Sequence, residues 1–196
     1  AKYTLFAEGS RGQLGKELIA RYQLATEATA QHYGIGIKEL WQIDPAKHKP
    51  GLVQHGAGWP LSESGATGGS FLYHLEDGQV AVGLIVDLNY ANPYLSPFEE
   101  FQRFKKQSEV RQYLDGGKRL CYGARAITKG GLNSLPKQTF PGGLLIGCDA
   151  GTLNFAKIKG VHTAMKSGML AAETVQTALQ AGDTGRSDLS AYADAF

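Results

Sequence analysis

"GGSFLYHLEDGQVAVGLIVDL", residues 68–88, decides how the rest of the chain is read. Two runs rich in β-branched and aromatic residues flank Glu76-Asp77-Gly78, and Asp-Gly between such runs is a strong hairpin signal. Moving outward, "YGIGIKELWQI" (33–43) places Ile35, Ile37 and Glu39 in strand-like alternation. "GLVQHGAGW" (51–59) and "KRLCYGARAI" (118–127) read as further strands. In "SPFEEFQRFKKQ" (96–107), Ser96 serves as cap and Pro97 as the first helical residue, with Phe98, Phe101 and Phe104 towards one side. Residues 34–117 are therefore expected to be mostly antiparallel sheet with one helix, near 97–107.

The ends read differently. "YTLFAEG" (3–9) is a short apolar strand ending in a carboxylate–glycine turn, and "GQLGKELIARYQL" (12–24) follows with helical spacing, weakened by Gly15. "GGLLIGCDAG" (142–151) is again strand and turn, and a helix is expected from about Gly160 to Ala181. Strand–turn–helix pieces at both ends and sheet between them predict an antiparallel-sheet domain inserted into an α/β domain. The expected divisions are 1–33 and 118–181 for the α/β part and 34–117 for the sheet. The small, polar tail 182–196 reads as a linker or the start of a further element. A chain that opens inside a strand reads as a piece of a longer one.

Composition narrows the function. Lys+Arg of 20 against Asp+Glu of 18 argues against bulk electrostatic binding of nucleic acid. Cys121 and Cys148 lack metal-ligand spacing and both fall in apolar runs, so they are expected to be buried thiols, and no metal site is expected. No apolar run approaches the roughly 20 residues of a membrane span.

Three stretches carry chemistry. Asp149, just past an apolar strand, can accept hydrogen bonds from vicinal hydroxyls such as a ribityl chain, and Gly151 allows close approach to the backbone. The helix start at Gly160 offers unpaired N–H donors and a positive dipole end, suited to the charge on a reduced flavin. Glu8 and Gly9 form a second carboxylate turn. No G-x-G-x-x-G fingerprint occurs, so a dinucleotide pyrophosphate site is expected to lie outside these residues. Gly68 and Gly69 are expected to leave backbone polar groups open to a flat apolar ligand. His55, His74 and His162 read more readily as structural than as catalytic.

Several runs together closely resemble electron transfer flavoprotein–ubiquinone oxidoreductase: "FAEGSRGQLGKELI", "YGIGIKELWQIDPAKHKPGLVQHGAGWPL", the run from Gly68 through "NYANPYLSPFEEFQRFK", "GGKRLCYGARAITKGGLNSLPK" and "FPGGLLIGCDAGTLNFAKIKGVHTAMKSGMLAAE". The resemblance covers nearly all of residues 1–180. It implies a membrane-associated flavoprotein, on a bacterial cytoplasmic or mitochondrial inner membrane, taking electrons from electron transfer flavoprotein and reducing ubiquinone. It implies one FAD and one [4Fe–4S] cluster, the cluster held by a cysteine-rich region these residues lack, so this stretch alone should not complete the electron path. By position, the resemblance assigns Gly68 and Gly69 to the quinone, Asn133, Asp149, Gly151 and Thr163 to the flavin, and Glu8 and Gly9 to the carboxylate–glycine turn of the wider hydroxylase-like flavoprotein group; Gly160, at the helix start, is expected to join the flavin set. No residue is implied to break a covalent bond; the implied work is positioning redox groups and tuning potentials. A related flavoprotein of the geranylgeranyl reductase or aromatic hydroxylase type, or a non-redox binding module, are the rival readings.

Overall fold

Among the described residues, hydrophobic alternation and turn chemistry become eight strands and five α-helices. In chain order these are β1 (Thr4–Phe6), α1 (Gln13–Arg21), β2 (Tyr33–Gln42), β3 (Val53–Ala57), β4 (Gly68–His74), β5 (Gln79–Asp87), α2 (Pro97–Lys105), α3 (Ser108–Leu114), β6 (Lys118–Thr128), β7 (Thr139–Phe140), β8 (Gly143–Leu145), α4 (Val161–Gln180) and α5 (Ser190–Ala195). The computed structural model describes residues 1–154, 157 and 160–196. It divides into two compact units, Gly34–Ala126 and Ala1–Tyr33 with Ile127–Phe196.

The first unit is a five-stranded sheet in the order β3-β4-β5-β2-β6. Its nucleus is the hairpin of β4 and β5. Asp77 and Gly78 take φ of 55° and 68°, and the Gln79 N–H closes the turn on the Glu76 carbonyl at 3.0 Å. Positive φ at both central residues gives a two-residue turn whose twist matches the strands. Alternate residues of β5, Val80, Val82, Leu84 and Val86, are almost fully buried. Burial of such a side chain contributes about 1.5–3 kcal/mol each. They pack with Phe101 and Phe104 of α2 and Val110, Tyr113 and Leu114 of α3. Ser96 caps α2 through its hydroxyl, which accepts the Glu99 N–H, and Pro97 opens the helix.

This sheet departs from expectation in three places. It runs on past residue 117, because β6 adds to β2 as an edge strand. Two short helices replace the single one, with Lys106 and Gln107 between them. Cys121 is exposed rather than buried, since the first eight residues of β6 are exposed on both faces of that edge.

Two polar devices sit inside the apolar face. Glu39 on β2, only 2% exposed, accepts bonds from Lys105 Nζ at 2.8 Å, Trp41 Nε1 at 2.8 Å and Arg119 at 3.2 Å. His74, 4% exposed, accepts the Lys49 N–H on Nδ1 at 3.1 Å and lies edge-on to Tyr113. Burial, and then the neighbouring His48 and Lys49 charges, hold His74 below the ordinary histidine pKa.

The second unit carries a three-stranded sheet, β1-β8-β7, with β1 parallel and β7 antiparallel to β8. Two small cores form around β8. Leu144 packs with Tyr3, Leu170, Ala171, Leu189 and Tyr192, and Leu145 with Leu24, Phe140 and Ala150. The tail is thus not a bare linker: α5 inserts a fully buried Tyr192 and packs on α4.

Candidate functional site

The turn after β8 is pinned from below. A short 3-10 turn, Gly147–Asp149, follows the strand, and Ser167 of α4 accepts the Gly147 N–H at 2.9 Å while donating to Ala164 O at 2.7 Å. Gly147 and Gly151 take φ of 60° and 86°, so the backbone bends where L side chains are strained. This directs Asp149 towards the start of α1. There Glu8 Oε2 accepts the Gly15 N–H at 2.9 Å, and the Glu8 N–H donates to Asp149 Oδ2 at 3.3 Å. Two carboxylates thus converge on one helix N-terminus, whose dipole favours negative charge.

The convergence explains two glycines. A Cβ built on Gly12 or Gly15 would fall under 3.0 Å from Asp149 Oδ1. Gly15 looked like a flaw in a helix; it is the space in which the carboxylate rests. Burial, then the Glu8 charge, raises the Asp149 pKa, with the Glu8 N–H opposing. Just beyond, Thr152 Oγ1 is buried with no hydrogen-bond partner among the described residues. A partly desolvated carboxylate with a single backbone donor suits a ligand bearing hydroxyls. Gly9, with φ of 95°, has open space around its missing Cβ.

At the start of α4, Gly160 is the N-cap and has no side chain with which to cap the first turn, and among the described residues its N–H groups are left for a ligand or water. The Thr163 hydroxyl turns back to Gly160 O at 2.9 Å, so its proton is already engaged. Asn133 is exposed in a 3-10 turn, and its carbonyl accepts the Thr29 N–H at 2.8 Å.

In the sheet unit the paired glycines part company. Asp87 N–H donates to Thr67 O, which fixes the alternation of the β4–β5 ladder and assigns the N–H and C=O of Gly69 to Ile85. The expectation that both glycines expose their backbone groups fails for Gly69 for this reason. Gly68 shares the core face with Ser70, Leu72 and His74; a Cβ there would strike Ile85 O and Leu61 Cδ1. Gly69 shares the other, less buried face with Phe71 and Tyr73, which stack at 4.7 Å. Phe71 in turn covers Gly83, where a Cβ would meet its ring. Gly69 therefore keeps a flat patch beside stacked aromatic rings, while Gly68 permits packing.

Residues 33–127 match the family model described as "ETF-QO, ubiquinone-binding". Over all 196 residues the chain is 71% identical to electron transfer flavoprotein–ubiquinone oxidoreductase of Pseudomonas aeruginosa. By sequence, the chain is similar to electron transfer flavoprotein–ubiquinone oxidoreductases along its whole length. The mitochondrial protein of that name from Rattus norvegicus is 59% identical over 177 residues, 89% of this chain. The chain spans 35% of the length of the Pseudomonas oxidoreductase and 29% of the rat one. The fold is also found in a geranylgeranyl bacteriochlorophyll reductase-like protein from Thermoplasma acidophilum, at TM-score 0.73 and 18% identity, covering 99% of this chain and 45% of that one. A flavin-dependent brominase, Bmp2, matches at TM-score 0.64 and 16% identity over 99% of this chain and 47% of its own.

Proposed function

We propose that these residues serve a flavoprotein oxidoreductase that passes electrons from electron transfer flavoprotein to ubiquinone. The match of residues 33–127 to a ubiquinone-binding domain carries this reading. Residues 1–33 and 118–181 would contribute to the FAD-binding part and the sheet to the quinone-binding part. FAD, when bound, supplies the ring that takes up and releases electrons. Asp149 would hold its hydroxyl-bearing chain, Gly9 would admit it close to the backbone, Gly151, whose side-chain space is taken by Gln31, would set the bend of the turn, and Glu8 would fix it. The uncapped N–H groups after Gly160 would face the negative end of the ring, with Thr163 and Asn133 as polar neighbours. Gly69 would admit the quinone ring, with Gly68 shaping the backbone beside it. The two cysteines cannot supply the thiolates of a [4Fe–4S] cluster, which would be held elsewhere in the whole protein. Among the described residues no helix is long and apolar enough to cross a membrane, so these residues would meet the bilayer, bacterial or mitochondrial, only at its surface.

The test is Gly69→Val in the full-length protein, assayed with a quinone analogue and with a soluble dye. The nearest atom to the new Cβ is Gly56 O at 3.1 Å, and the branch extends over the open face. Quinone reduction should fall at least about tenfold, the cost of one poorly fitted apolar contact, with dye reduction retained. Equal loss with both acceptors sinks the assignment.

A further inference from the structure

Gln31 lies between α1 and β2 in a stretch with no recognisable motif. Its carbonyl Oε1 accepts the Gly130 N–H at 2.8 Å and the His32 N–H at 3.1 Å. Its amide Nε2 donates to Ser134 O at 3.4 Å. Ser134, 4% exposed, completes the clasp: its hydroxyl is 2.9 Å from Thr29 Oγ1 and donates to Ala30 O or Gly130 O. Residues 29–31 thus hold both ends of the turn that carries Asn133, whose own carbonyl is tied to the Thr29 N–H.

The same side chain touches the other turn. A Cβ on Gly151 would fall 2.7 Å from Gln31 Nε2, and one on Gly130 would be blocked by Gln31 Oε1. Among the described residues, Gln31 thus packs against both the 130–134 turn and the 149–151 turn, in the space left by the missing side chains of Gly130 and Gly151. Both glycine sequences are legible without it, yet neither reveals what fills the space.

We propose that Gln31 is a positioning residue for the flavin site: it sets the turn of Asn133 against the turn of Asp149 and Gly151, without itself touching the cofactor. The proposal rests on the reading of those two turns as flavin contacts. Its amide is suited to the task because one planar group supplies an acceptor to Gly130 and a donor to Ser134 in the first turn, and lays a flat edge against Gly151 of the second. Such a clasp spends fixed hydrogen bonds to remove freedom from loops that must fit a ligand, which lowers the entropy lost on binding.

The experiment uses full-length protein and reads FAD affinity and the visible flavin spectrum of Gln31→Ala, Gln31→Glu, Asn133→Ala, Asp149→Ala and the double variant Gln31→Ala with Asn133→Ala. Gln31→Ala should weaken FAD about tenfold, as expected for one lost hydrogen-bonding group, and change the spectrum. Gln31→Glu keeps the acceptor for Gly130 and loses the donor, so it should recover part of the affinity. Because Gln31 acts through the turn of Asn133, the double variant should be no weaker than the sum predicts, and measurably less than additive. Wild-type affinity and spectrum in Gln31→Ala, with FAD lost in Asp149→Ala, would overturn the clasp and leave the flavin reading standing. No change in either variant would sink the flavin reading and the clasp with it. Strict additivity of Gln31→Ala and Asn133→Ala also overturns it. Should Gln31→Ala not fold, Gln31→Glu and its own double with Asn133→Ala decide in the same way.

Discussion

Glu39 and Asp149 are two carboxylates in two units, and their surroundings are opposite. Glu39, in the sheet unit, is buried but meets Lys105, Arg119 and the Trp41 indole. Asp149, in the other unit, is less buried yet meets one backbone N–H, a like charge on Glu8 and two glycines. Protein that satisfies a charge spends it on holding structure together; protein that leaves a charge under-compensated keeps it available for a ligand. The contrast is easy to follow experimentally, since both tryptophans, Trp41 and Trp59, lie within 34–126. Tryptophan fluorescence reports the sheet unit, and far-UV circular dichroism also reports the long helix α4.

The largest expected effect is at Glu39. Glu39→Ala strands the Lys105 ammonium, whose side chain is 12% exposed, against the core. Removing one partner of a buried pair costs about 3–5 kcal/mol. Denaturant unfolding followed by tryptophan fluorescence should shift by that amount, and an unchanged midpoint would break the comparison at its firmer end.

Gly15→Ala comes next. In an ordinary helix this change adds about 1 kcal/mol of stability. Here the new Cβ collides with the Asp149 carboxylate, so ellipticity should melt at lower temperature, by the roughly 1–3 kcal/mol of an overpacked site. Adding Asp149→Ala should return the stability to wild type or above. A stabilised single variant would show that Asp149 does not rest there.

A smaller effect follows from His74. Its pKa is lowered in the folded state, so folding favours the neutral ring. That contribution is complete above the unfolded value near 6.5 and is lost as pH falls below it, towards the depressed folded value. The fluorescence-detected stability should decline on the acid side, and His74→Leu should flatten the decline. An identical acid limb in both would remove His74 as its source.

The smallest effect is at Asp149. Its pKa is raised, so the charged form is disfavoured in the fold at neutral pH. Asp149→Asn should therefore leave stability equal or slightly higher at pH 7, with the gain shrinking as pH falls and the wild-type acid takes up its proton. Loss of stability at neutral pH would mean that Asp149 is as well compensated as Glu39.

Much of the architecture was legible along the chain, and for local reasons. The Asp77-Gly78 turn, the Ser96-Pro97 cap and the alternation of Val80, Val82, Leu84 and Val86 each depend on residues within a few positions. The carboxylate turns at Glu8 and Asp149 were legible too, because strand, turn and helix are short-range patterns. What the sequence could not contain was the meeting of distant segments. The edge strand β6 escaped the expected boundary because strand partnership is a long-range choice, and its exposure undid the expectation for Cys121. Gly68 and Gly69 read as equivalent, and only the ladder with β5 sent one into the core and the other to the open face. Gly15 and Asp149 lie 134 positions apart, and Gln31 and Gly151 lie 120 apart. A missing side chain is visible in a sequence; the atom that takes its place is decided only when the chain has closed on itself.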